Sequence, residues 1–157
     1  MVPYRPEPLS DFSNPAAAAE FERALALVSA QLGRHYPMII GGRRVEATEC
    51  IRSVNPSRPD QVVGCAARGG LAEAEAAVSA ALAAFPSWSR VPAEVRARIL
   101  FRAAAVMRRR KHELSAWISF EVGKNWAEAD ADTAEAIDFL EYYGRQMLRL
   151  AAPQELT

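Results

Sequence analysis

Cys50 and Cys65 are the only two thiols in the chain. A thiolate can act as nucleophile, redox partner or metal ligand. Their spacing matches no metal or redox motif, and neither has a histidine close in sequence to activate it. Cys65 sits in the apolar run 62–67, which reads as a strand, so its plain role is a small buried hydrophobe. Cys50 reads as equally plain, in or near a turn. Four acids, Glu128, Asp130, Asp132 and Glu135, could suggest a cation site. They stand at spacings of two and three near the start of a helix, whose dipole favours acids anyway. No metal site is expected from them. The eight glycines form no phosphate-cradling loop. Gly123 and Lys124 lack both the earlier loop glycine and the following Ser or Thr. There is no Gly-x-Ser-x-Gly elbow and no His-Glu-x-x-His. His35 has no partner at metal spacing. These residues by themselves predict no catalytic, cofactor-binding or metal site.

The elements around them are mostly helical. Residues 1–14 read as an extended, proline-rich arm. Asn14 caps a helix that Pro15 opens and Gly33 ends, with Phe21, Leu25, Val28 and Leu32 on its apolar stripe. Residues 37–46 read as a β-hairpin turning at Gly41 and Gly42. Short strands follow at 51–54 and 61–67, separated by turn residues 55–60. A helix is expected over 71–85, with Leu71, Ala74, Val78, Ala81, Leu82 and Phe85 on one face and a turn from Pro86. Pro92 opens the next helix, whose core side carries Val95, Ile99, Ala103 and Met107. A short helix over 112–120 leads to the last one. The fold class is mostly α with a few short antiparallel strands. Strand and helix do not alternate, so no parallel dinucleotide sheet lies within these residues.

Composition is ordinary for one globular domain: 157 residues, 50% hydrophobic and 24% charged. Nineteen basic residues balance nineteen acidic ones, which speaks against nucleic acid or an anionic membrane as partner. Arg108, Arg109, Arg110 and Lys111 form a basic run. It reads as the last turn of a helix facing its own carboxyl end rather than a nucleic-acid patch. No apolar run approaches membrane-spanning length, and the start has no signal-like apolar core. A soluble cytosolic protein is expected, or a matrix protein if the source is an organelle.

The long last helix carries the most information. Trp126, Ala129, Thr133, Ala136, Ile137, Leu140, Tyr143, Met147 and Leu150 fall three and four apart, one stripe of about six or seven turns. Glu135, Phe139, Tyr142 and Gln146 project from the other side. Two aromatics there suggest a second covering surface beyond this chain.

Several blocks, in order, resemble the amino-terminal part of the Δ1-pyrroline-5-carboxylate (L-glutamate γ-semialdehyde) dehydrogenase branch of the aldehyde dehydrogenase superfamily. Arg34, His35, Tyr36 and Pro37 precede Ile40, Gly41 and Gly42. Ser53, Val54, Asn55, Pro56 and Ser57 follow. Glu121, Val122, Gly123, Lys124, Asn125 and Trp126 come before Ala134, Glu135, Ala136, Ile137, Asp138 and Phe139, then Glu141, Tyr142 and Tyr143. The resemblance implies residues 15–157 as the first segment of a cofactor-binding domain. It implies NAD-dependent oxidation of glutamate γ-semialdehyde to glutamate, the last step of proline breakdown, by attack of a cysteine thiolate and hydride transfer. The family's catalytic cysteine, base glutamate and cofactor glycines have no counterpart here. The chain is therefore expected to be an amino-terminal fragment, inactive and without NAD when alone. The alternative is a stand-alone helical interaction module. Glu135 matches a family glutamate that lines the substrate channel, the one site residue the resemblance carries over. Self-association through Phe139 and Tyr142, or a homo-oligomer, is expected.

Overall fold

The computed structural model describes residues 3–153, which divide into two compact units. The first comprises Met1–Val28, Val91–Ser119 and Lys124–Thr157. Its helices are α1 (Pro15–Ser29), α3 (Ala93–Arg109), the larger part of α4 (Lys111–Val122) and α5 (Trp126–Ala151). Asn14 caps α1 as its sequence predicts, its Oδ1 accepting from the Ala16 N–H at 2.9 Å. Phe21, Ala24 and Val28 are the buried stripe of α1. α3 buries Ala97 and Ala104, while Ile99 points outward at 46% exposed. The core side is therefore turned from the expected line, because the close contact is made by Phe101. A Cβ on Gly144 of α5 would lie 2.6 Å from its ring. Glycine there allows α3 and α5 to approach closely.

Asn125 caps α5, accepting from the Glu128 N–H at 3.0 Å. Asn125→Ala is expected to lower unfolding stability by about 1 kcal/mol, read by urea denaturation. The predicted stripe holds over its first half, where Ala129, Thr133 and Ile137 are buried. Tyr143 departs from it: this ring is 57% exposed and stacks on Phe139 at 5.9 Å. Gly144, one position on, takes the place against Phe101.

Residues 3–11 of the arm have no regular structure, as expected, and a turn begins at Phe12, yet the arm is pinned along α5. The Glu7 N–H donates to Asp138 at 2.8 Å, and Arg108 pairs with Glu7 at 2.7 Å. Tyr4 meets Tyr142 edge-on at 6.0 Å.

The second unit comprises Ser29–Arg90 and Phe120–Gly123. It contains β1 (Arg34–Tyr36), β2 (Met38–Ile40), β3 (Arg43–Val45), β4 (Cys50–Asn55), β5 (Arg58–Ala67) and α2 (Leu71–Trp88). The β2–β3 hairpin turns on Gly41 and Gly42 with φ of 58° and 76°, the left-handed pair that two-residue turns need. Pro37 lacks an N–H and divides the first extended run. The piece before it, β1, joins β5 in parallel. The strand set is thus antiparallel with one parallel pair, in the order β1-β5-β4. The β4–β5 turn is held by Asn55, whose Oδ1 accepts from the Ser57 N–H at 2.9 Å.

Two expectations change here. α2 continues through Pro86 to Trp88 instead of ending at Phe85. A proline in the last turn forfeits only one N–H bond, and the Ser87 hydroxyl donates back to the Ala84 carbonyl at 2.9 Å. The expected apolar face of α2 is also uncovered: Leu71, Val78, Leu82 and Phe85 are 59–77% exposed. Cys65, read as a small buried hydrophobe, and Cys50, read as equally plain with no redox spacing between them, are joined as a disulfide. The antiparallel register opposes Cys50 to Ala67 and Arg52 to Cys65, so the two cysteines are diagonal neighbours on one face, their Cα atoms 5.7 Å apart. Spacing in sequence does not reveal that register.

Candidate functional site

The exposed side of α5 is the candidate. Glu135 opens it, exposed, with Phe139 one turn on and Tyr142 at the second turn. Phe139 is 51% and Tyr142 44% exposed, so the face read from the sequence is present. Tyr142 is partly covered by Tyr4 of the chain's own arm. Phe139 and Tyr143 instead line an open apolar groove of about 380 Å³ with Leu100, Met107, Ala136 and Leu140.

The polar end of this face is a charge cluster. Lys124 donates to Asp132 at 2.5 Å. That hydrogen bond, with the charges of Asp132, Glu128 and Glu135, holds the Lys124 ammonium above its ordinary range. Glu135 therefore acts on a cation that Asp132 already binds.

The four acids do not form one site. Asp130 points into the first unit and is 1% exposed. It accepts from the Ser10 N–H at 2.8 Å, the Ser10 hydroxyl at 2.7 Å and the Lys111 ammonium at 2.8 Å. Sequence spacing missed this role, because its partners lie in the arm and in α4. Among the described residues no group of three His, Cys, Asp or Glu stands together as a metal site would. The basic run is taken up locally: Arg108 by Glu7 and Glu141, Arg110 by Glu113, and Lys111 by Asp130. No described helix is long and apolar enough to cross a membrane.

A dinucleotide cradle does not fit these residues. The positive-φ glycines, Gly33, Gly41, Gly42 and Gly123, serve loop ends and the hairpin. The amino end of α2, after Gly69 and Gly70, is closed by its own acid, since Glu73 accepts from the Gly70 N–H at 2.7 Å. A carboxylate there repels a phosphate. Gly123 has φ of 76°, and a Cβ on it would meet Pro56 at 2.8 Å.

The decisive observation is the match of residues 44–157 to the aldehyde dehydrogenase family model. The chain belongs to the aldehyde dehydrogenase family. It is 57% identical over 148 residues to the 1-pyrroline-5-carboxylate dehydrogenase of Geobacillus kaustophilus, covering 94% of this chain and 29% of that protein. The enzyme of that name from Halalkalibacterium halodurans, its first form, is 53% identical over 99% of this chain and 30% of its own length. The solved 1-pyrroline-5-carboxylate dehydrogenase of Thermus thermophilus superposes with a TM-score of 0.97 at 50% identity, over all of this chain and 31% of that one. A Thermus 1-pyrroline-5-carboxylate dehydrogenase solved with bound NAD also gives 0.97, at 51% identity. The chain thus spans less than a third of the length of these relatives. The helices and short strands described above are the fold of that part of the family.

Proposed function

We propose that this chain is the amino-terminal segment of an NAD-dependent dehydrogenase that oxidises L-glutamate γ-semialdehyde to glutamate. The carrying observation is the superposition of the whole chain, at 50% identity, on a 1-pyrroline-5-carboxylate dehydrogenase. In this reading NAD, the thiolate nucleophile and the base are supplied by the other two thirds of a longer polypeptide. Residues 15–157 contribute helices to the cofactor-binding domain, with the hairpin as an appendage. The open groove at Phe139 and Tyr143 is the surface that the longer body covers. Separated from that body, the segment self-associates through Phe139 and Tyr142, which light scattering over a concentration series would detect. A concentration-independent monomer would contradict it.

Two measurements test the proposal. The protein is immunoprecipitated from its source cells, its intact mass taken, and the precipitate assayed with NAD and the semialdehyde. A species about three times heavier than 17.2 kDa with NADH production is expected. A species of 17.2 kDa without activity would favour the interaction-module reading instead.

Glu135 is proposed to line the substrate channel, where its carboxylate suits the ammonium group of the semialdehyde. In the long enzyme, Glu135→Ala is expected to raise KM severalfold with a smaller effect on kcat. An unchanged KM would remove Glu135 from the channel.

A further inference from the structure

We propose that the Cys50–Cys65 disulfide is a reversible redox clasp. A low-molecular-weight thiol of the glutathione class opens it by attacking Cys50 and expelling Cys65 as a thiolate between His35 and Arg52. The inference is independent of the dehydrogenase reading.

The geometry rests on register. In the sheet β1-β5-β4, His35 is the parallel partner of Cys65, and Arg52 is its antiparallel partner on the other side. Paired positions in adjacent strands face the same side of a sheet. His35, Cys65 and Arg52 therefore stand in a row across one face, and Cys50 lies on that face beside Arg52. Nδ1 of His35 is 3.2 Å from Glu46 Oε2, so Nε2 is the nitrogen left to exchange a proton. Cys50 is exposed, while Cys65 is half-buried.

These placements assign the two sulfurs different parts. Exchange is fastest when the attacked sulfur is accessible and the leaving thiolate is stabilised. Accessibility selects Cys50 for attack. The guanidinium of Arg52 and the imidazole of His35 favour the thiolate at Cys65. The incoming thiolate forms a new S–S bond to Cys50 as the Cys50–Cys65 bond breaks, and the electron pair of that bond leaves on Cys65. A second thiol then attacks the mixed disulfide and releases Cys50. The balance is two thiols oxidised to one small disulfide and one protein disulfide reduced to two thiols. Glutathione disulfide runs the same steps in reverse. Opening frees β4, which lies at the sheet edge, from its covalent tie to β5.

The test uses the 157-residue chain, oxidised, exposed to reduced glutathione and quenched with acid at intervals. Peptide mapping by mass spectrometry locates the mixed disulfide. The adduct is expected on Cys50, and the opening rate is expected to fall severalfold in Arg52→Gln and in His35→Gln, with Arg52→Lys retaining most of it. An adduct mainly on Cys65 overturns the proposal. So does a rate unchanged in both neutral variants. Free thiols that persist at both cysteines after treatment with glutathione disulfide also overturn it. The first and last readings need only the unmodified chain, so a variant that fails to fold leaves the proposal falsifiable.

Discussion

Asp130→Ala is expected to lower the stability of the first unit by about 3–5 kcal/mol, the usual result of removing one partner of a buried ion pair. The Lys111 side chain is only 11% exposed, so its ammonium would remain in a dry place with the Pro8 carbonyl as its remaining acceptor. Ser10 would lose the carboxylate that accepts from its N–H and its hydroxyl, leaving the hydroxyl only His112 Nε2 at 3.2 Å. Two results are therefore expected together: a lower urea midpoint, and faster hydrogen exchange through the arm. A variant with wild-type stability would mean that water replaces the carboxylate. Acid should act on the same group. Burial raises the pKa of Asp130, but the hydrogen bonds from Lys111 and Ser10 outweigh it, and the carboxyl sits below the ordinary 3.8. A depressed folded pKa gives stability that is in full above the unfolded value. It is lost as pH falls from near 3.8 through the folded value. Asp130→Asn should flatten that part of the stability profile.

Phe21→Ala is the second large effect, at about 3–5 kcal/mol. Phe21 is fully buried. Its ring centre is 4.9 Å from Trp126, 5.2 Å from Phe12 and 5.8 Å from His112. Truncation leaves a cavity where the arm, α1, α4 and the start of α5 meet, lined by Phe12, Trp126 and His112, which already pack on one another with Phe12 5.7 Å from Trp126 and 6.3 Å from His112. Denaturant unfolding would read the loss. Phe21→Leu, which keeps most of the volume, should cost well under half as much. Equal costs would mean that the cavity collapses and that packing at this point is soft.

Local chemistry made much of this fold legible. Asn14 with Pro15, Gly41 with Gly42, and the Glu135, Phe139 and Tyr142 stripe each state their geometry within a few residues, and each stands as read. What escaped depends on partners far along the chain. Nothing near Asp130 announces Ser10, and nothing near Cys50 announces Cys65 until β4 and β5 are in register. Periodicity alone puts Tyr143 and Ile99 on core-facing stripes. The helix rotations that expose them are set by Gly144 meeting Phe101, a contact between elements. The large residues of α2 looked like a core face, and the described residues do not cover them. The candidate site was legible as a surface, and the channel role proposed for Glu135 rests on the family resemblance.

The arm has a consequence for biosynthesis. Glu7 and Asp138 are 131 positions apart, and Ser10 and Asp130 are 120 apart. On a ribosome that adds roughly 5–20 residues per second, the arm waits about 6–26 s before its docking helix exists. During that interval Tyr4 and Phe12 are bare, and Lys111 enters solution before its acid is made. Residues 7 and 10 are seated only on partners made 120 or more positions later. A bulky group attached to the arm would therefore interfere with its docking on α5 rather than with the folding that precedes that step.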